Sequence, residues 1–225
     1  MTGPLSERTG GFVAHEHLRD SQKEMILDGI QVLSDDGFLL AAAPTGIGKT
    51  AAALASVLEI SRNSSERLQI MFLTGRQSQH RIVIETIRLI NSRLSEGVSH
   101  VKVVDIIGRE SMCEYVDRVT GKCNCEEDVI EGSRVERREE LREMILTYPT
   151  HVDDVISRSR QRKMCAWASA RSAVKSCDLI VCDYNHVFVE NVRTNSLAPM
   201  GIDLENVILI IDEAHNLPDR IRNGL

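Results

Sequence analysis

Two short stretches constrain the fold of this chain more than anything else in it. The first is "AAAPTGIGKT", residues 41–50, and the second is "VILIIDEAHN", residues 207–216. In the first, Gly46 and Gly48 let the main chain turn sharply and approach a ligand without a Cβ in the way. Set between an apolar strand and a helix, such a turn aims backbone amides at an anion on the helix N-terminus. In the second, a run of apolar residues delivers two carboxylates, Asp212 and Glu213, to the end of a strand.

Residues 43–50 carry the Walker A spacing, with Ala43 in place of the usual first glycine. Pro44, Thr45, Gly46, Ile47 and Gly48 would form a cradle for nucleotide phosphates. Lys49 would reach the β- and γ-phosphates, and the Thr50 hydroxyl would bind Mg²⁺. Asp212 fits the Walker B aspartate that holds the same Mg²⁺. Glu213 fits a general base that orients and deprotonates an attacking water. The pair of motifs points to hydrolysis of a nucleoside triphosphate.

Short apolar runs recur along the chain: "GFLLAAA", "LQIMFLT", "VKVVDII", "DLIVCD" and "NVILIID". They are rich in branched residues and bounded by turns, as strands buried on both faces are. Helical patterns, "KTAAALASVLEISR" and "SQHRIVIETIRLINSRL", lie between the first three. Alternation of this kind predicts an α/β fold with a mostly parallel sheet. About 70 residues then intervene before "DLIVCD", too many for an ordinary connection. The spacing predicts two helices there, over "RVERREELREMIL" and "THVDDVISRSRQRK", the second opened by a Thr150–Asp153 capping box. The expected organisation is a first lobe part at 1–107, an insert at 108–176 and a second lobe part at 177–225. The insert offers few residues for a hydrophobic core and needs a staple.

At 225 residues, with 42% hydrophobic and 27% charged residues, the chain suits one large globular domain or a domain with an insert. The longest apolar stretch, "FLLAAAP", is too short for a bilayer. The N-terminus has no apolar signal region, so an intracellular location is expected, cytoplasmic in a prokaryote or nuclear in a eukaryote. Disulfides are disfavoured there, which turns the 6 Cys toward metal ligation or burial. The net charge of −6 argues against a non-specific nucleic-acid binder. It conceals a basic run, "SRSRQRKMCAWASARSAVK", without a single acid. A phosphate backbone responds to that local charge, although a solvated basic face is an equal reading of the run taken alone.

"DEAH" resembles motif II of superfamily 2 helicases, and by that resemblance His215 couples the nucleotide site to the nucleic-acid site. "RDSQ" is similar to the helicase Q motif, which makes Gln22 the adenine-recognising glutamine. "FLTGRQSQH" resembles motif Ia, which implies contacts from Thr74, Arg76, Ser78 and Gln79 to a DNA backbone. "GRESMC", "GKC" and "CAWASARSAVKSCDLIVCDYNHVF" extend the likeness to the XPD/DinG family of iron–sulfur DNA helicases, closest to the XPD branch. The resemblance implies a RecA-like P-loop lobe interrupted by a small helical insert that holds a [4Fe–4S] cluster.

The implied ligands are Cys113, Cys123, Cys125 and Cys165. Only one residue separates Cys123 from Cys125, where the family more often leaves a wider gap, and Ala166 stands where a proline usually follows the last ligand. Four thiolates also suit Zn²⁺, and spacing alone does not choose; the helicase context favours iron. Cys177 and Cys182 read as structural. Trp167 reads either as a core residue of the insert or as an aromatic near a duplex junction. Arg158, Arg160, Arg162 and Lys163 would track phosphates beside it.

The expected function is the first motor lobe and iron–sulfur domain of an ATP-dependent 5′→3′ DNA helicase acting in DNA repair. Its partners would be single-stranded DNA, single-strand/duplex junctions and a second motor lobe, which nothing in these residues resembles. The alternative is an ATP- and junction-binding module that does not unwind and needs a partner chain.

Overall fold

The structure, a computed structural model, describes residues 11–44, 46–113, 115–117, 119–120, 122 and 131–224, with the backbone alone for 131–135, 137 and 223–224. Thr45, Cys123 and Cys125 lie outside the described residues. Helices α1 (Asp20–Ser34) and α2 (Lys49–Asn63) precede strand β1 (Gln69–Leu73), α3 (Gln77–Arg93) and β2 (Val103–Asp105). Four helices follow: α4 (Arg109–Met112), α5 (Glu131–Thr147), α6 (Val152–Gln161) and α7 (Ala166–Val174). The chain re-enters the sheet as β3 (Leu179–Cys182), continues through α8 (Asn185–Phe188) and α9 (Glu190–Met200), and then forms β4 (Val207–Ile211) and α10 (Leu217–Gly224).

The four strands pair in the order β2-β3-β1-β4. Every pairing is parallel, with Leu73 opposite both Cys182 and Ile211. All C-terminal strand ends therefore meet on one edge, the edge where open α/β sheets bind ligands. The α/β class and the parallel sheet are as the sequence predicts.

Alternate strand residues point to opposite faces, and each face has its own core. Ile70, Phe72, Val103, Leu179 and Val181 pack with Leu54, Leu58, Val83 and Ile87 of α2 and α3. Met71, Leu73, Val104, Ile106 and Ile180 pack with Leu141, Ile145, Val155, Ala170 and Ala173 of the intervening helices. This second core departs from the sequence reading, in which the segment at 108–176 had little to bury. Its apolar residues are small and scattered over three helices, so no single stretch looks hydrophobic. Together they cover one whole sheet face.

Two other expectations change. "GFLLAAA" forms no strand among the described residues, and its Phe38 and Leu40 are 95% and 87% exposed. Hydrophobic content alone cannot make a strand; the backbone needs a ladder partner. The described sheet ends at β4, whose only neighbour is β1. The cap of α6 is also different. His151, not Thr150, is the N-cap, and its Nδ1 accepts from the Asp153 amide at 3.3 Å. Thr150 instead donates its hydroxyl to the Tyr148 carbonyl at 2.7 Å.

Candidate functional site

The glycine loop closes onto the N-terminus of α2. Gly46 and Gly48 have φ of +82° and +85°, the left-handed region that disfavours other residues. A Cβ on Gly46 would meet nothing within 4 Å, so the loop opens onto free space there. A Cβ on Gly48 would lie 2.2 Å from Gln22 Nε2. Gln22 is 5% exposed and accepts from the Arg19 amide through its Oε1 at 3.0 Å. Its own amide group is thereby turned toward the loop, and Arg19 donates to the Gly46 carbonyl. The helix surface that a lone Gln usually occupies is here the floor of the phosphate loop.

Lys49 begins α2 and donates from Nζ to the carbonyls of Ala43 at 2.8 Å and Pro44 at 3.2 Å. Thr50 follows in the first turn, with Ile47 half-buried beside it. Gly48 caps this helix, so its first amides point at the loop. A cradle of amides with one lysine fits a nucleotide polyphosphate.

Asp212 leaves β4 with its amide bonded to the Leu73 carbonyl at 2.9 Å. Burial raises its carboxyl above the usual range, the Glu213 charge adds to that, and the nearby Lys49 ammonium pulls it back down. Lys49 and Asp212 are 163 positions apart in sequence, yet the ammonium is near enough to act on the carboxyl. A half-buried carboxylate within reach of a lysine's charge fits a Mg²⁺·nucleotide. Glu213 sits in the left-handed region at φ 50°. Its Oε2 lies 3.3 Å from Nδ1 of the exposed His215.

A cavity of about 120 Å³ lies on the same edge, between the ends of β1 and β4. Thr74, Gly75 and Arg76 line one side and Glu213, Asn216 and Arg220 the other. Of the motif Ia residues, Thr74 is buried and caps the turn, accepting from the Arg76 amide at 3.4 Å. Arg76 and Ser78 are exposed and Gln79 is half-buried. The sequence reading passed over Tyr184, which forms the floor of this cavity. It gave no signal beyond its place in "CDYNHVF", two residues after a strand.

The described cysteines divide into two kinds. Cys177 and Cys182 are buried, and burial pushes both thiols well up, which keeps them protonated and suits packing over ligation. Cys113 and Cys165 are half-buried, and the described cysteines form no disulfide. Cys113 ends α4 and Cys165 opens α7, two helices that pack together. Cys165 Sγ accepts from the Ala168 amide at 3.4 Å. No group of three or more metal-ligating side chains occurs among the described residues.

Trp167 is half-buried against the core, with the guanidinium carbons of Arg171 at 5.0 Å and Arg109 at 5.6 Å from its ring centre. Arg158, Arg160, Arg162 and Lys163 are exposed at the end of α6. No acid lies between them in the sequence.

The DEAD_2 family model matches residues 54–225. The chain belongs to the DEAD_2 family. This DEAD_2 chain is 25% identical over 206 residues to the ATP-dependent DNA helicase XPD of Sulfolobus acidocaldarius, covering 89% of this chain and 33% of the relative. Over 72 residues it is 35% identical to the ATP-dependent DNA helicase CHL1 of Eremothecium gossypii, covering 32% of this chain and 8% of that one. A solved XPD helicase superposes with a TM-score of 0.59 at 23% identity, over 93% of this chain and 34% of that chain. A truncated XPD superposes with a TM-score of 0.55 at 20% identity, over 91% and 54%. The chain thus spans about a third of the length of the XPD relative. Its fold is RecA-like, as in these XPD structures.

Proposed function

We propose that this chain is the first motor lobe, with an iron–sulfur insert, of an ATP-dependent 5′→3′ DNA helicase that works in DNA repair inside the cell. The observation that carries the reading is the left-handed glycine loop at Gly46 and Gly48, which leads directly into Lys49 at the N-terminus of α2. In it, Pro44, Thr45, Gly46, Ile47 and Gly48 cradle the phosphates, Lys49 neutralises them, and Gln22 faces the base side of the loop. Thr50 and Asp212 hold Mg²⁺. Glu213 takes the proton of the attacking water, and His215, paired with Glu213, relays its state to the nucleic acid. Thr74, Arg76, Ser78 and Gln79 contact the DNA backbone from the neighbouring strand end. Membership in the family and the names of the helicase relatives support the activity.

Residues 108–176 form the insert on this reading. Cys113, Cys123, Cys125 and Cys165 would hold a [4Fe–4S] cluster, with Zn²⁺ the lesser fit to the family context. When bound, the cluster would cross-link the segment between α4 and α7. Arg158, Arg160, Arg162, Lys163 and Trp167 extend the DNA path toward a single-strand/duplex junction. Unwinding also requires a second motor lobe, in further chain or on a partner.

The test is ATP hydrolysis with and without single-stranded DNA, in the chain and in a two-lobed protein that contains it. DNA-stimulated turnover that Glu213→Gln abolishes is expected in the two-lobed protein. Turnover that survives Glu213→Gln contradicts the assignment of the base.

A further inference from the structure

Tyr184 follows β3, between the two strand ends that the proposed function puts to use. Its side chain is among the largest fully buried ones, 1% exposed. Its hydroxyl nevertheless reaches the edge of the sheet and donates to the Asp212 carbonyl. The Glu213 carbonyl lies 3.4 Å from the same oxygen. Burial raises the phenol above its usual value, and the Gly75 amide acts in the opposite sense. One hydroxyl therefore meets both the turn after β1, which leads to Arg76, and the DEAH turn after β4.

The contact is close on the β1 side as well. A Cβ on Gly75 would lie 3.0 Å from Tyr184 Cε2, so the Cε2 edge of the ring abuts a residue without a side chain. On the β4 side the turn is strained, because Glu213 holds φ 50° without being glycine. Such a conformation costs about 1–3 kcal/mol and persists only where neighbours impose it. Asn216 contributes, with its amide 2.9 Å and its Nδ2 3.2 Å from the Glu213 carbonyl. Tyr184 contributes from below. A ring of fixed shape that touches both turns transmits a shift of one to the other, since packed interiors have discrete arrangements and deform little.

We propose that Tyr184 is a positioning residue that couples nucleic acid bound at the Gly75–Arg76 turn to the carboxylates of the DEAH turn. The inference rests on the proposed ATP- and DNA-binding reading of the two turns. Arg76 and Arg220 line the cavity above the ring and suit a backbone phosphate, while the Glu213 carboxylate lines its far wall. A phosphate settling beside Arg76 presses on Gly75, and Gly75 is in contact with the ring. The hydroxyl then carries the displacement to the Asp212 carbonyl. The Asp212 and Glu213 side chains move with that peptide.

Coupling of this kind is a ratio and is reciprocal between the two ligands. The experiment measures binding of an oligothymidylate to the chain by fluorescence anisotropy, with and without a non-hydrolysable Mg·ATP analogue. The parent chain is expected to show a change of roughly tenfold in DNA affinity between the two conditions. Tyr184→Phe, which keeps the ring and removes the hydroxyl, is expected to bring that ratio close to one. A general loss of stability weakens both measurements alike and cancels in the ratio. Gly75→Ala is the second variant; it keeps the hydroxyl, displaces the ring, and is expected to lower the ratio also. If the chain binds no Mg·ATP analogue, the reading of the glycine loop fails. If both ligands bind the parent chain independently, or if Tyr184→Phe and Gly75→Ala keep the parental ratio, the nucleotide reading stands and the role of Tyr184 is overturned.

Discussion

The imidazole of His80 and the carboxylate of Asp105 meet at 2.6 Å with both side chains buried. A carboxylate only accepts, so Nδ1 of His80 carries the shared proton. The second oxygen of Asp105 accepts from the Val152 amide at 2.8 Å. One carboxylate at the end of β2 thus ties α3 to the N-terminus of α6. An anion is favoured at such a helix end. Asp105→Ala leaves a buried imidazole and a buried amide without this partner. It is expected to cost about 3 kcal/mol or more of folding stability, read by urea denaturation, and to open α6 to proteolysis before the sheet unfolds. A loss within ~0.5 kcal/mol, the range of ordinary surface substitutions, would contradict the linking role.

The contact between Gly48 and Gln22 separates two reasons for a glycine. Gly48→Ala meets both a left-handed backbone and the Gln22 amide group. Nucleotide affinity is expected to fall by at least about tenfold, the effect of ~1.4 kcal/mol. Adding Gln22→Ala removes the collision and leaves the backbone strain. The double variant is expected to recover part of the folding stability that Gly48→Ala loses, read by urea denaturation, but not the nucleotide affinity, because Gln22 itself serves the nucleotide. No recovery of stability would mean that Gln22 does not press on the loop.

Asp212 carries a charge that its surroundings disfavour, and this fixes the sign of two pH effects. Its folded value lies above the unfolded one, so the folded chain holds the proton more tightly. The penalty is absent below the ordinary carboxylate value and grows as pH rises from there to the folded value. Asp212→Asn is therefore expected to raise the thermal midpoint of the nucleotide-free chain at neutral pH, with the gain fading in acid. Mg²⁺ needs the deprotonated form, so Mg²⁺-dependent nucleotide binding is expected to fade, as pH falls, above the ordinary carboxylate range. A nucleotide-free Asp212→Asn chain less stable than the parent at neutral pH would contradict the burial of this charge.

The cysteines supply a further prediction. Anaerobically purified protein is expected to be brown, and Cys113→Ser or Cys165→Ser to bleach it. Cys177→Ser is expected to leave the colour intact, because that thiol is buried and held protonated. Colourless protein with stoichiometric zinc would replace the cluster by a zinc site on the same residues.

The sequence showed the motor lobe more plainly than the segment between its halves, for physical reasons. Four of the five apolar runs became β1 to β4 because they are continuous, branched and bounded by turns. "GFLLAAA" looks the same, but strand formation depends on a neighbour, and the described sheet offers it none. Phosphate-loop geometry could be read from Gly46 and Gly48 because only glycine serves there. The second sheet-face core could not, since Leu141, Val155 and Ala170 come from separate helices whose outward faces are strongly charged. Asp105 and Tyr184 escaped notice for a related reason. Each acts through partners distant in sequence, His80 and Val152 for one, Gly75 and Asp212 for the other. Gln22 was placed by its resemblance to a motif, and its burial against Gly48 is what gives that placement a physical basis.

The most direct test of the account is calorimetric titration of the chain with Mg·ATP, in parallel with Lys49→Ala. The loop at 43–50 and the carboxylate of Asp212 lie on one lobe, so binding needs no other part of a helicase. The account predicts saturable one-to-one binding that requires Mg²⁺ and is abolished in Lys49→Ala, while the variant keeps the parental circular dichroism. Binding of equal strength in a folded Lys49→Ala chain, or no binding in the parent, would contradict it.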